Sequence, residues 1–275
     1  MSAAGTALDE APPPLPPRGW SGQRIAGHIL VALWILLAIG LVWFLVTSWN
    51  LPLVEKYGPG YLYGLGVTVG LVAVSIVIGA ILSIPVALGR MSKNPVFSGL
   101  AYAYVYFFRG TPLLAQTFLV YYGLGAFRPE LQSVGLWWFF REAWYCAIFA
   151  FSLNTAAYQA EMLRGAIESV PRGQWEGAAS LGLHRLQTMW KVILPQAAVV
   201  ALRPYGNEVI LMVKGSAIVS IITVYDLMGI TRFTYSRTFD FQSYLWAAVI
   251  YLMIVETLRH GIEWIERRLT RHLKR

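Results

Sequence analysis

Cysteine occurs once in this sequence, and charge is sparse: of 275 residues only 13% are Asp, Glu, Lys or Arg. A soluble domain carries about a quarter. With 57% hydrophobic residues and a mean hydropathy of +0.54, the chain in water would expose large apolar patches, so a bilayer is the expected solvent. The lone Cys146 excludes an internal disulfide and a cysteine-based metal cluster. Among apolar neighbours it reads as a small buried residue. There is no G-x-x-x-x-G-K-[ST], so the chain has no P-loop to cradle ATP phosphates. The histidines (His28, His184, His260 and His272) stand apart, in no metal-ligand spacing, and no G-x-S-x-G elbow occurs. A catalytic centre, a metal site and a bound cofactor are therefore not expected in this chain. The net charge of +8 sits at the edges of apolar runs rather than on a basic, aromatic-studded face, which argues against nucleic acid.

What the sequence has is long apolar runs. About 20 apolar residues cross roughly 30 Å of hydrocarbon. Six candidate segments stand out: Ile25–Ser48, Gly64–Gly89, Phe97–Leu124, Trp144–Leu163, Ala197–Thr223 and Tyr244–Leu258, the last running on into a charged amphipathic tail. The fold class expected is thus an all-α integral membrane protein of about six transmembrane helices. Fourteen Lys and Arg fall before the first run, between the second and third, between the fourth and fifth, and after the sixth. The alternate loops hold five: Lys56, Arg128, Arg141, Arg232 and Arg237. This bias places both termini in the cytoplasm. Residues 1–24 include "APPPLPPRG" and are expected to form a disordered cytoplasmic tail. The run that follows is too long for the core of a cleaved signal peptide. Residues 263–275 are basic and read as an interfacial tail held to anionic headgroups.

One cytoplasmic loop, 164–195, does not look like a passive connection. Its segment "GQWEGAASLGLHRLQTMWKVILPQ" suggests two short helices. In the first, Trp175, Ala178 and Ala179 share a face and Glu176 flanks it. Gly182 then allows a left-handed stop. In the second, Leu186, Met189, Trp190 and Ile193 form one apolar stripe, and Pro195 opens the fifth span. The residues by themselves fit a surface-lying turn and a docking surface equally.

The order Glu176-Gly177-Ala178, three residues, Gly182, nine residues, Val192-x-Leu194-Pro195 resembles the EAA motif of ABC importer permeases, E-A-A-x3-G-x9-I-x-L-P. Gly177 and Val192 stand where Ala and Ile are usual, and Gly177 adds about 1 kcal/mol of helix cost. "FRGTPLLAQTFLVYYG", "SLNTAAYQAEMLRGAIESVPRGQWE" and "LRPYGNEVILMVKGSAIVSIITVYDL" are similar to polar amino-acid uptake permeases. The stretch from Tyr235 to Leu269 looks most like M-type subunits for histidine, arginine, ornithine, octopine and nopaline. The resemblance covers about residues 60–268. It implies a type I, MetI-like five-helix core, to which residues 25–48 add an extra N-terminal span. It also implies an inner-membrane subunit that binds no cofactor itself. ATP and Mg would be used by a dimeric ATP-binding subunit whose groove receives the loop as a coupling helix. A second, related permease would complete the pore, and a periplasmic binding protein would deliver substrate. A gradient-driven transporter and a non-transport scaffold are the other classes open to a chain of this composition; neither accounts for the motif.

Polar residues inside the runs are expensive and default to function. Arg109, Gly110, Thr111 and Pro112 break the third span. Asn154 and Glu161 lie on the fourth, Asn207 and Glu208 on the fifth. A cationic amino acid needs carboxylates, so Glu208 or Glu161 is expected to face a translocation path. The competing expectation pairs Glu161 with Arg164, and Glu208 with Arg203 or Lys214, as structural bridges.

Overall fold

A computed structural model describes residues 21–47 and 49–271, and no strand occurs among them. The proline-rich run, Ser48 and the last four residues of the basic tail lie outside the described residues. The chain falls into two compact units, divided after Trp49. The first unit contributes α1 (Gly22–Thr47), an apolar helix with no buried residue. Hydrophobicity all round is what a lipid-facing helix needs. It begins three residues earlier than the apolar run alone suggests, because Gln23 and Arg24 continue its first turn.

The second unit starts with α2 (Leu51–Arg90), capped by the Asn50 side chain on the Leu53 N–H. At 1.5 Å per residue it is about 60 Å long, twice the hydrocarbon thickness, so it extends well past the Gly64–Gly89 run. Its polarity is reversed from that of a soluble helix. Thr68, Ser75, Gly79, Ser83 and Ala87 are buried, whereas Val77, Ile81, Ile84 and Leu88 are exposed. Small residues let helix backbones approach, and large apolar ones face lipid.

The third run is two pieces, α3 (Pro95–Gly110) and α4 (Leu113–Phe118), with a π turn over Leu119–Gly123. Short helices α5 (Arg128–Ser133) and α6 (Trp137–Phe140) lead to α7 (Ala143–Glu168), the central helix, whose face against α2 buries Phe151, Thr155 and Gln159 completely. Then come α8 (Arg172–Ser180), α9 (Arg185–Thr188), a π turn over Met189–Ile193, and α10 (Leu194–Ser216) ending in a 3-10 segment, Ala217–Ile222. α11 (Leu227–Thr238) and α12 (Gln242–Leu269) close the unit.

Among the described residues, four helical stretches can cross a membrane by length and composition: Gly22–Thr47, Leu51–Arg90, Arg185–Ile222 and Gln242–Leu269. The other two runs differ for physical reasons. The third is broken at Thr111–Pro112, and α7, though 26 residues long, turns polar side chains into the protein interior. α12 continues unbroken to Leu269, so residues 263–269 of the basic tail extend the last helix.

Candidate functional site

The loop after α7 is a compact device. α8 tucks Ala178 (5% exposed) and half-buries Trp175 against Ala166, Ile167, Val170, Ile193 and Ala197, joining it to the ends of α7 and α10. Its outer face carries Glu176, Gly177 and Ala179, all exposed. Ala179 therefore does not share the buried face with Trp175, as helical spacing suggested. At the C-terminus the Gly182 N–H donates to Ala179 O (2.9 Å) and the Leu183 N–H to Ala178 O (3.1 Å), with Gly182 at φ +76°. This is a Schellman closure, and it projects Leu181 into solvent at 81% exposure.

The stripe expected through Leu186, Met189, Trp190 and Ile193 is split by the π turn. The Leu194 N–H reaches back five residues to Met189 O. Pro195 follows; with no N–H, and a ring that would crowd the carbonyl four residues back, it favours a wider turn there. The extra residue rotates Ile193 into the core (0% exposed) and leaves Leu186 (62%) and Trp190 (67%) outside. Val192 and Leu194 are half-buried in the same cluster.

Above this loop lies a polar seam. The break at Arg109–Pro112 is tied down by two buried amides. Gln116 Nε2 donates to Phe108 O (2.9 Å), Thr111 O (3.1 Å) and Thr111 Oγ1 (2.6 Å). Asn154 Nδ2 donates to Phe108 O (3.0 Å) and Gln116 Oε1 (3.0 Å). The backbone groups freed by Gly110 and Pro112 are thus satisfied inside protein, the condition for irregular backbone at membrane depth. Gln116→Ala leaves these carbonyls short of donors and is expected to lower stability by about 1–3 kcal/mol, read as a fall in the melting temperature of the detergent-solubilised protein.

Glu208 is buried (4% exposed) on α10. Its Oε1 accepts from Thr155 Oγ1 at 2.8 Å; Thr155 Oγ1 also accepts from Gln159 Nε2 (3.1 Å), whose second contact is Ile76 O (3.2 Å). The Gln159 Oε1 atom is buried and accepts no hydrogen bond from the described residues. Neither cation proposed as a bridge reaches Glu208: Arg203 pairs with Glu266 on α12 (2.6 Å), and Lys214 is exposed. Asn207, next in the chain, points outward and is exposed.

Glu161 is the reverse case. Its carboxylate accepts from Arg90 Nε (2.8 Å) and Arg164 Nη2 (2.7 Å), and Arg109 Nη1 stands 4.0 Å away. The Arg164 bridge was expected; the two from α2 and α3 were not.

Set beside known families, residues 75–275 match the binding-protein-dependent transport system inner membrane component. The chain belongs to this family. The permease is 41% identical over 226 residues to the nopaline transport system permease protein of Agrobacterium fabrum, covering 82% of this chain and 94% of that one. To the octopine transport system permease protein of Rhizobium meliloti it is 42% identical over 217 residues, 76% of this chain and 88% of that one. Among solved structures it superposes on an amino acid ABC transporter with histidines at a TM-score of 0.70 and 34% identity, covering 80% of this chain and 98% of that one. It also shares the fold of the MetNI methionine ABC transporter in an inward-facing conformation (TM-score 0.66, 20% identity, 80% and 99% covered). The protein is accordingly a membrane-embedded permease subunit of an amino-acid ABC importer with a MetI-like fold, which works with an ATPase and a substrate-binding protein.

Sequence reasoning overlooked several residues of the permease's seam: Arg90, Gln116, Thr155 and Gln159. Gln116 and Gln159 carried a usable signal, being uncharged polar side chains inside apolar runs. Thr155 and Arg90 carried none, since a threonine in a span or an arginine at its end is ordinary.

Proposed function

We propose that this chain forms half of the translocation path of an importer for cationic amino acids or opines. The observation that carries the reading is Glu208, a buried carboxylate with a single hydroxyl donor, Thr155, and no ion pair among the described residues. A buried charge demands a partner. With the unpaired Gln159 oxygen nearby on the same hydrogen-bond chain, this part of the seam has a surplus of acceptors, which suits a guanidinium or ammonium group. The names of the relatives lend support, because nopaline, octopine and arginine all carry a guanidinium. Glu161, already saturated by arginines, is left out of the path, and Asn154 acts by holding the α3–α4 break.

In this reading α8 is the coupling helix, with Glu176, Gly177, Ala179 and Leu181 presented to the groove of an ATP-binding subunit. That subunit, as a dimer, binds ATP and Mg; this chain binds neither. ATP-driven closure draws the coupling helices together, and the rigid cluster under Trp175 passes the displacement to α7 and α10. A second, related permease completes the pore, and a periplasmic binding protein delivers substrate from the other face. The charge asymmetry supports six spans in a bacterial inner membrane with both termini in the cytoplasm.

Glu208→Gln keeps the shape and removes the charge. Uptake of arginine by the reconstituted complex is expected to fall on the order of 30-fold, the equivalent of about 2 kcal/mol for a lost buried charge pair. Unchanged uptake would remove Glu208 from the path.

A further inference from the structure

Glu161 gathers cations from three helices. Arg90 is the last residue of α2, Arg109 lies in the last turn of α3, and Arg164 is one turn further along α7. The Glu161 side chain is 13% exposed, and the three guanidiniums stand 2.8, 4.0 and 2.7 Å from its oxygens. Arg164 also holds Glu168, the final residue of α7, at 2.6 Å. Arg90 and Arg109 are steadied by aromatic faces, Tyr102 at 5.0 Å and Tyr158 at 5.2 Å. After Glu168 the chain needs only Ser169, Val170 and Pro171 to enter α8, and Val170 is buried in the cluster that seats Trp175.

Two features set this node apart from a surface bridge. Partial burial weakens solvent screening, so the attractions are worth more than in exposed pairs. Without the carboxylate, three positive groups would face one another, and repulsion would push the ends of α2 and α3 away from α7. The contacts are also graded. Arg90 and Arg164 are in full hydrogen-bond contact, while the half-exposed Arg109 is at the limit of ion pairing. At this node α2 is therefore held to α7 by a full hydrogen-bonded pair. α3 is tied to α7 elsewhere, by Asn154 Nδ2 to Phe108 O (3.0 Å) and Tyr104 Oη to Leu153 O (2.6 Å), and joins the node itself through an ion contact that can lengthen.

We propose that Glu161 is a positioning residue that makes the adjoining ends of α2, α3 and α7 move together, so that displacement of α8 reaches the helices lining the path. The inference rests on the coupling role of α8 proposed above. It extends that role to a residue touching neither the ATPase nor the substrate.

The test uses the complete reconstituted importer in proteoliposomes and measures arginine uptake and ATP hydrolysis together. Glu161→Gln is expected to lower uptake per ATP roughly tenfold, within the usual range of coupling energies. Glu161→Asp, which keeps the charge, is expected to recover most of that ratio. An unchanged ratio in Glu161→Gln overturns the proposal, as does a proportional fall in uptake and hydrolysis, which marks mere loss of folded protein. If Glu161→Gln does not assemble, Arg109→Gln takes its place, since it cuts the longest of the three ion contacts, together with the Tyr158 stacking, and leaves Arg90 and Arg164 on Glu161; a wild-type ratio there is equally fatal. Glu176→Lys, followed by co-purification with the ATP-binding subunit, separates the two readings. Retained co-purification sinks the docking role of α8, whereas the uptake-to-ATP ratio of the Glu161 variants bears on transmission.

Discussion

Gly79→Leu is expected to leave no folded permease in the membrane, while Gly66→Ala, on the same helix, is expected to be neutral or slightly stabilising. The difference lies in what each side chain would meet. A Cβ on Gly66 finds nothing within 4 Å. A Cβ on Gly79 runs into the Thr155 methyl group, with Gln159 Nε2 at 3.0 Å and the Ala156 backbone nitrogen at 3.3 Å. None of these can yield, because Thr155 and Gln159 are fully buried and fixed by the hydrogen bonds that lead to Glu208. Alanine alone would gain about 1 kcal/mol in helix propensity. Against this, overpacking costs about 1–3 kcal/mol, so Gly79→Ala already loses on balance. Leucine adds a side chain with no space to enter and forces α2 away from α7. Size-exclusion profiles and melting temperatures of the detergent-solubilised complex would check this series; a monodisperse Gly79→Leu protein with wild-type melting would refute the close crossing.

That crossing also marks where the fold could be read in the sequence and where it could not. Apolar runs located α1, α2 and α7, because about 20 lipid-compatible residues leave little other choice. They could not locate α11, whose segment "LMGITRFTYSRT" mixes polar and aromatic residues. Its start was written only in Asp226, whose carboxylate accepts the Gly229 N–H at 2.8 Å, a cap that gains meaning when a helix is known to follow. The π turn before Pro195 was hidden for a different reason. Periodicity presumes a constant 3.6 residues per turn, and a single wider turn moves every later residue to another face. The loop motif could be read at its glycine, since Gly182 at φ +76° needs the freedom that its sequence position announces. The seam was half legible. Glu161 and Glu208 stood out as charges in spans, and the Arg164 partner of Glu161 could be read three residues on, yet Arg90 lies 71 residues from Glu161 and Thr155 lies 53 from Glu208, beyond any local pattern.

Glu176→Lys is expected to abolish ATP-driven uptake without unfolding the permease, and the reason is the division of labour within α8. Trp175 and Ala178 face inward and anchor the helix, so replacing either would disturb the cluster that joins α7 to α10. Glu176 sits between them on the exposed face and makes no ion pair among the described residues. Changing its sign therefore leaves the permease's own packing intact, and surface substitutions of this kind alter stability by about 0.5 kcal/mol or less. Placed against a partner surface that receives a carboxylate, the same change costs several kcal/mol through like-charge contact, enough to undo docking. Gly182→Val should act on the same function by another route. A β-branched residue at positive φ is strained, at about 1–2 kcal/mol or more, and a nine-residue helix cannot absorb that without fraying the end that presents Leu181. Pull-down of the ATP-binding subunit and uptake into vesicles read both variants. Glu176→Lys that still co-purifies and still drives uptake would show that the exposed face of α8 is not the docking surface, whatever the motif resembles.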